Sequence, residues 1–264
     1  MNLALVVRLA LAPGLVGVAT LAARRWGVAA GGWAASTPVV AGPVLLVIAS
    51  DHGQAFGAQA AGSATLGLIS LALFTTTYAR TAGARLAWYI CLPLGWAVFV
   101  ATALLLSVIA VPPLVALVAA IIFFRLCRLA LGPTGRTDAA SRRLPGDIPL
   151  RMLAALAMVV TLSLVAGLLG ARLSGLLAPF PIIGSVMAAF THVTRGRGAL
   201  EQYTDALLNG LPSFALFTAM VALTLRPLGV LDSFVAASAL AAASHLLLIQ
   251  RARPRPGVRP KIEA

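Results

Sequence analysis

Apolar runs of membrane-spanning length, following one another with only short polar intervals, dominate this chain. A helix needs about 20 such residues to cross the hydrocarbon core of a bilayer, and proline is tolerated there better than in water-soluble helices. On that rule the sequence predicts nine spans, at approximately 3–23, 27–50, 54–79, 85–107, 111–131, 149–170, 173–193, 199–225 and 228–250. With 60% hydrophobic and only 10% charged residues among 264, and a mean hydropathy of +0.98, no single water-soluble core could hide so much apolar side chain. The fold class is an all-α membrane protein.

The formal charge of +13 would suggest nucleic acid in a soluble protein, but 19 of the 20 basic residues are Arg placed in segments between apolar runs. That placement reads as topology, and no nucleic-acid partner is expected. Cys91 and Cys127 fall inside apolar segments without metal or redox spacing and read as core residues. The first segment is apolar enough to resemble a secretory signal. Its charge order is wrong for one, because Arg24 and Arg25 follow the apolar run, so it is read as the first span. The longest polar interval, 132–148, reads as a loop, and the Pro- and Arg-rich residues 251–264 read as a disordered basic tail.

The chain resembles itself at an ungapped offset of 143 residues. Positions 8–79 match 151–222 at 19 places, where composition alone would give about seven. The stretch GLISLALFT (67–75) faces GLPSFALFT (210–218), seven of nine identical. Arg8 faces Arg151, Gly27 faces Gly170, Gly32 faces Gly175, Pro38 faces Pro181, Gly53 faces Gly196 and Gln59 faces Gln202. Each repeat holds four spans, one span is left between them, and the odd crossing inverts the second repeat relative to the first. The predicted organisation is 4+1+4: a first repeat over 1–108, a linker span and cytoplasmic loop over 109–148, an inverted repeat over 149–250, and the tail. With the N-terminus outside, 17 basic residues fall on the cytoplasmic side and three, Arg8, Arg172 and Arg226, on the other. That bias places the chain in a bacterial inner membrane with a cytoplasmic C-terminus.

Inverted repeats let two halves exchange conformations around a site near the midplane, where helices are interrupted. GGWAASTPVVAGPV (31–44) and SGLLAPFPIIGSVM (174–187) occupy equivalent positions, and each is broken by Pro and Gly. Proline removes a backbone donor, so carbonyls ahead of Pro38 and Pro181 are expected to be free. Either two half-helices meet there or a continuous helix is kinked. In span eight Glu201, Asp205, Asn209 and Ser213 recur every four residues and lie on one helical stripe. A carboxylate inside a bilayer is costly unless it has a partner or water, so Asp205 reads as a functional group with raised proton affinity. Glu201, close to Arg195 and Arg197 in its first turn, also fits a plain interfacial role.

The candidate solute-binding residues are therefore Ser36, Thr37, Pro38, Gly42, Phe180, Pro181, Gly184, Ser185, Asn209 and Ser213. Asp205, Glu201 and His192 are the candidates for proton coupling. His245 could relay protons or simply be packed, and Asp51 and His52 read as an interfacial pair. Thr75, Thr76 and Thr77 are expected to bond to their own helix, and Gly27/Gly31 and Gly53/Gly57 have the spacing of close-packing faces. The sequence holds no G-x-x-x-x-G-K-[ST] loop, H-E-x-x-H helix or G-x-S-x-G elbow, so no catalytic residue, metal or cofactor is expected.

The segments SGLLAPFPIIGSVMAAFTH and GGWAASTPVVAGPVLL resemble a family of uncharacterised bacterial inner-membrane proteins that carry the pattern SGLLAPFP. A single four-helix repeat is similar to the small GlpM-type membrane proteins, which are associated with exopolysaccharide production. The 4+1+4 layout is similar to fused fluoride channels in topology alone, without their Asn-containing and Thr/Phe-rich pore motifs. These features together imply a secondary transporter or exporter of a small solute. The alternatives are an accessory scaffold of an envelope-polysaccharide or lipid pathway, or an ion channel. The expected partners are the bilayer and the solute, and a homodimer is compatible with this reading.

Overall fold

The computed structural model describes residues 3–132, 146–166 and 171–252. Among them the chain is helical apart from short junctions and contains no strand. The helices are α1 (Leu3–Arg25), α2 (Val28–Ala35), α3 (Ala41–His52), α4 (Gln54–Gly83), α5 (Trp88–Ser107), α6 (Pro113–Leu131), α7 (Asp147–Ala166), α8 (Ala171–Leu177), α9 (Ile182–Leu228) and α10 (Val230–Ala252). Five stretches among the described residues are long and apolar enough to cross a membrane: α4, α5, α6, Arg172–Leu228 and α10. Of the expected loop, residues 133–145 lie outside the described residues, as do Gly170 and residues 253–264 of the tail. Asp147 and Ile148, read from sequence as loop, instead open α7, and Arg251 and Ala252 close α10.

The helix boundaries follow the glycines and prolines. Gly53 ends α3 against α4 with φ 87° and ψ 166°, and Gly196 bends α9 with φ 75° and ψ −173°. These two residues stand 143 apart and share one left-handed conformation, which only glycine adopts without strain. The bend divides α9 into two arms, residues 182–195 and 197–228. Gly27 and Gly53 thus shape the backbone, while Gly31 and Gly57 make the close contacts, with Met187 and Ala49 respectively. The two G-x-x-x-G motifs each combine a hinge with a packing surface.

The helix α4 and the second arm of α9 form the centre. The most apolar window of α4 is 72% buried, against 22%, 22% and 17% for α5, α6 and α10. The outer helices turn residues such as Leu105, Leu114, Leu231 and Leu246 outward, which is tenable only where lipid covers them. α6 packs on both central helices, α5 flanks α4 and α10 flanks α9. Lipid tails are as apolar as these side chains, so close packing of small residues must hold the centre together. The Thr65 hydroxyl donates to that of Thr218 at 2.9 Å across the two central helices, worth on average about 0.6 kcal/mol in such a setting.

The tightest contacts come in reciprocal pairs at the spacing seen in the sequence. Gly32 of α2 lies against the backbone of Tyr203 and Leu207, and Gly175 of α8 lies against the backbone of Ala60. Gly67 of α4 abuts Leu176 and Pro179, and Gly210 of α9 abuts Trp33 and Ser36. Adding 143 to 32, 60, 67, 33 and 36 gives 175, 203, 210, 176 and 179. Each short helix therefore packs on the long helix of the other half through the same residues.

At Gly32, Gly67 and Gly175 a Cβ atom would overlap partner backbone, which cannot step aside. Gly32→Val and Gly175→Val are expected to lower the detergent melting temperature by comparable amounts, each costing at least about 1–3 kcal/mol. Gly14→Ala, where a Cβ meets nothing within 4 Å, should be neutral in the same assay.

Candidate functional site

Both interruptions expected from the sequence are complete gaps between half-helices, at residues 36–40 and 178–181. The pieces of the first are 8 and 12 residues long. The gaps lie together. Thr37, Phe180, Pro181 and Gly184 share a cavity of about 30 Å³ with Leu71, Leu207 and Phe214. The C-terminal ends of α2 and α8 and the N-terminal ends of α3 and α9 meet around it, bringing opposed partial charges to one place. Its volume holds one or two water-sized groups.

The expected free carbonyls are largely taken, and by the gap residues themselves. Ser36 donates its hydroxyl to the Trp33 carbonyl at 2.8 Å, and Thr37 donates to that of Ala34 at 2.7 Å. The carbonyls of Pro38 and Pro181 accept from the amides of Gly42 and Ser185, both at 2.7 Å, and so open the next helix. In the second gap Pro179 and Phe180 stand where Ser36 and Thr37 stand in the first, so no hydroxyl caps α8 there. Packing replaces it: Phe180 meets Phe99 edge-on at 5.2 Å, and Trp96 donates its indole N–H to Ser185 at 2.9 Å. Ser36 is pressed against Gly210, and Gly42 sits close to Phe217.

The polar stripe on α9 is present and has partners that the sequence did not reveal. Asp205 accepts from Nε of Arg128 on α6 at 2.8 Å and from the Asn209 amide at 3.0 Å. It is one-quarter exposed. A cavity of about 330 Å³ surrounds Asp205 and Asn209 and is also lined by Arg125, Arg128 and Arg251. One turn deeper Ser213 gives its single hydroxyl proton to the Gly210 carbonyl at 2.7 Å, and its oxygen is 2.8 Å from Nδ1 of His245. That assignment makes His245 the donor, with its proton on Nδ1. The His245 ring stands edge-on to Trp33 at 5.3 Å, so the histidine joins α10, α9 and α2. Ser70, the counterpart of Ser213, is buried with no hydrogen-bond partner among the described residues.

Other candidates settle into local roles. Glu201 accepts from Arg197 at 2.7 Å in an exposed pair one turn apart, as its interfacial reading has it. Nδ1 of His192 lies 3.4 Å from the hydroxyl of the fully buried Tyr78. Thr75 and Thr76 bond back to Leu71 and Ala72 at 2.8 Å. His52 is exposed and stacks on Phe56. Both cysteines are buried and free.

A second charged cluster was not legible as a unit. Arg151 donates to Asp147 at 2.7 Å and Arg24 donates to its other oxygen at 2.9 Å, tying α7 to α1. Arg151 and Asp147 are each 7% exposed, and the Arg151 guanidinium lies 4.6 Å over the ring of Phe190. The signal was the one-turn spacing of Asp147 and Arg151, obscured because Asp147 stands at the edge of a polar interval. Burial acts to raise the Asp147 carboxyl, and the hydrogen bonds and charges of Arg151 and Arg24 outweigh it, holding the group below the ordinary carboxylate value.

No family model, curated protein or solved structure matches the chain. Function must be argued from these contacts.

The two acidic residues predict different responses. Asp147→Asn leaves two cations without a counterion and should cost about 3–5 kcal/mol of stability, whereas Asp205→Asn, in a more exposed pair, should cost about 1 kcal/mol or less. Because the folded-state value of Asp147 is depressed, its contribution is fully present above the ordinary value of 3.8 and is lost as pH falls below it. Melting curves of wild type and Asp147→Asn should therefore stay apart at neutral pH and converge only as the pH is taken well below 3.8.

Proposed function

We propose that the chain crosses the bacterial inner membrane nine times, as two four-helix repeats of opposite topology joined by α6, with the N-terminus outside and the C-terminus in the cytoplasm. In this reading it is a secondary transporter or exporter of a small solute, working by alternating access. The observation that carries it is the reciprocal packing of two interrupted helices, each seated on the long helix of the other half. A pair of elements related in this way has two equivalent ways to tilt, and the cavity between the gaps is then the place where access switches.

The closed, 30 Å³ centre corresponds on this proposal to an occluded state. The cavity around Asp205 and Asn209 is its cytoplasmic vestibule. Thr37, Phe180, Pro181 and Gly184 contact solute at the centre, and Asn209 and Ser213 line the way in. Protonation of Asp205 would release Arg128, which gives coupling a physical switch. His192 and Glu201 lie on the same side and set the surrounding electrostatics.

The small size and mostly apolar lining of that same cavity favour a second reading, a non-transporting scaffold in an envelope-polysaccharide or lipid pathway. The resemblance of each repeat to GlpM-type proteins points the same way.

Single cysteines at Thr37 and Asn209, in a background lacking Cys91 and Cys127, separate the two. A transporter predicts labelling of Thr37→Cys by membrane-impermeant thiol reagents from both faces, and of Asn209→Cys from the cytoplasmic face. Adding Asp205→Asn should abolish any dependence of the Thr37→Cys pattern on pH. Protection of Thr37→Cys from both faces would favour the scaffold, and labelling of Asn209→Cys from outside alone would overturn the orientation.

A further inference from the structure

The structure assigns a phosphate-binding site to the cavity between α1, α7 and the first arm of α9, away from the two gaps and independent of whether the chain transports anything. The cavity has a volume of about 180 Å³ and is lined by Arg24, Arg151, Arg195, Asp147, Thr191 and Thr194 among others. Three guanidinium groups against one carboxylate leave a formal charge of +2.

The single acid is already committed. Its two oxygens accept from Arg151 and Arg24, one each. Arg195 makes no hydrogen bond or ion pair among the described residues, although it is partly buried. Besides Asp147 and the Phe190 ring, Arg151 meets only the thioether of Met187 among the described residues, 3.6 Å from Nη1, a weak acceptor for a charged donor. Partly desolvated, half-satisfied arginines are costly, and their planar forks match a group with several oxygen acceptors at tetrahedral angles. A phosphate monoester or diester supplies both the charge and the acceptors. The volume exceeds the roughly 10–15 Å³ needed for one water more than tenfold, which admits a phosphate with part of its ester.

The surroundings suggest where the rest of that ester goes. Arg24 also lines a shallow groove along the outer face of α1, with Val18, Leu21 and Trp26. Those three side chains are 59%, 54% and 74% exposed. A phosphate in the cavity would therefore have an apolar track running from Arg24 along Leu21 and Val18, with an exposed tryptophan two residues from Arg24, an arrangement that suits a phospholipid head group with its acyl chain. The equivalent place in the other half cannot be the same site: His52 stands in the position of Arg195 and Ala4 in that of Asp147.

The test uses the full chain purified in a neutral detergent, with thermal unfolding followed by tryptophan fluorescence. Two arms separate the sources: phosphatidylglycerol against phosphatidylcholine, and inorganic phosphate against chloride at equal ionic strength. Stabilisation by phosphatidylglycerol identifies a lipid head group, and stabilisation by inorganic phosphate alone identifies a soluble phosphate compound. In either arm Arg195→Gln, which removes a cation that holds nothing else in place, should weaken the apparent affinity by about tenfold. Arg195→Lys, which keeps charge but loses the fork, should fall between. Retention of bound phosphatidylglycerol in native mass spectra gives the same comparison without melting. The site is refuted if wild type distinguishes neither pair of additives, or if Arg195→Gln is stabilised as fully as wild type.

Discussion

A backbone that leaves its helix inside a bilayer must find its hydrogen bonds within the protein, because lipid offers none. The two gaps, 36–40 and 178–181, both find local backbone bonds, such as Thr37 N–H to the Ala34 carbonyl and Phe180 N–H to the Leu177 carbonyl, and the first adds serine and threonine hydroxyls. Both then need to be covered. The cover is a long helix from the opposite half, brought into close contact at Gly32, Gly175, Gly67 and Gly210. The placement of α4 and α9 at the centre, and of α5, α6 and α10 outside them, follows from that requirement. The interrupted helices are thus the reason the two halves interlock, and chemistry of any kind has to be built around them.

The scaffold was legible because it depends on residues with no substitutes. A left-handed backbone at Gly53 and Gly196, and the proline that opens the helix after each gap, leave marks at fixed positions that composition cannot imitate. The partners of the polar groups were not legible. Arg128 reads in sequence as one more topology-setting arginine, and nothing in it says that it reaches Asp205, 77 positions further on. His245 reads equally well as packed or as a relay until Ser213 is found beside it. Asp147 was hidden by its flanks: a proline two residues after it and a polar interval before it disguise the first turn of a helix. Period and punctuation fix local structure, whereas ion pairs between distant helices depend on packing angles that no periodicity records.

The polar groups gather in the part of the molecule that the repeat does not duplicate. Ser213 has a histidine where Ser70 has no partner among the described residues, Asp205 and Asn209 face Gly62 and Leu66 in the alignment, and Arg195 and Asp147 face His52 and Ala4. Equivalent positions in the sequence carry unlike side chains. The reciprocal glycines recur at the offset of 143, and the polar side chains around them do not.

The partners that close α2 are far away in the chain: the Tyr203 backbone over Gly32 is 171 residues downstream. At a synthesis rate of about 5–20 residues per second, the first gap waits on the order of ten to thirty seconds for its cover. During that time the loop at Ser36–Val40 lacks its lid, and its local backbone bonds and two hydroxyls are what hold it. Seen this way the first-made gap carries its own caps. The second gap, made when its covering helix α4 is already in place, does without them.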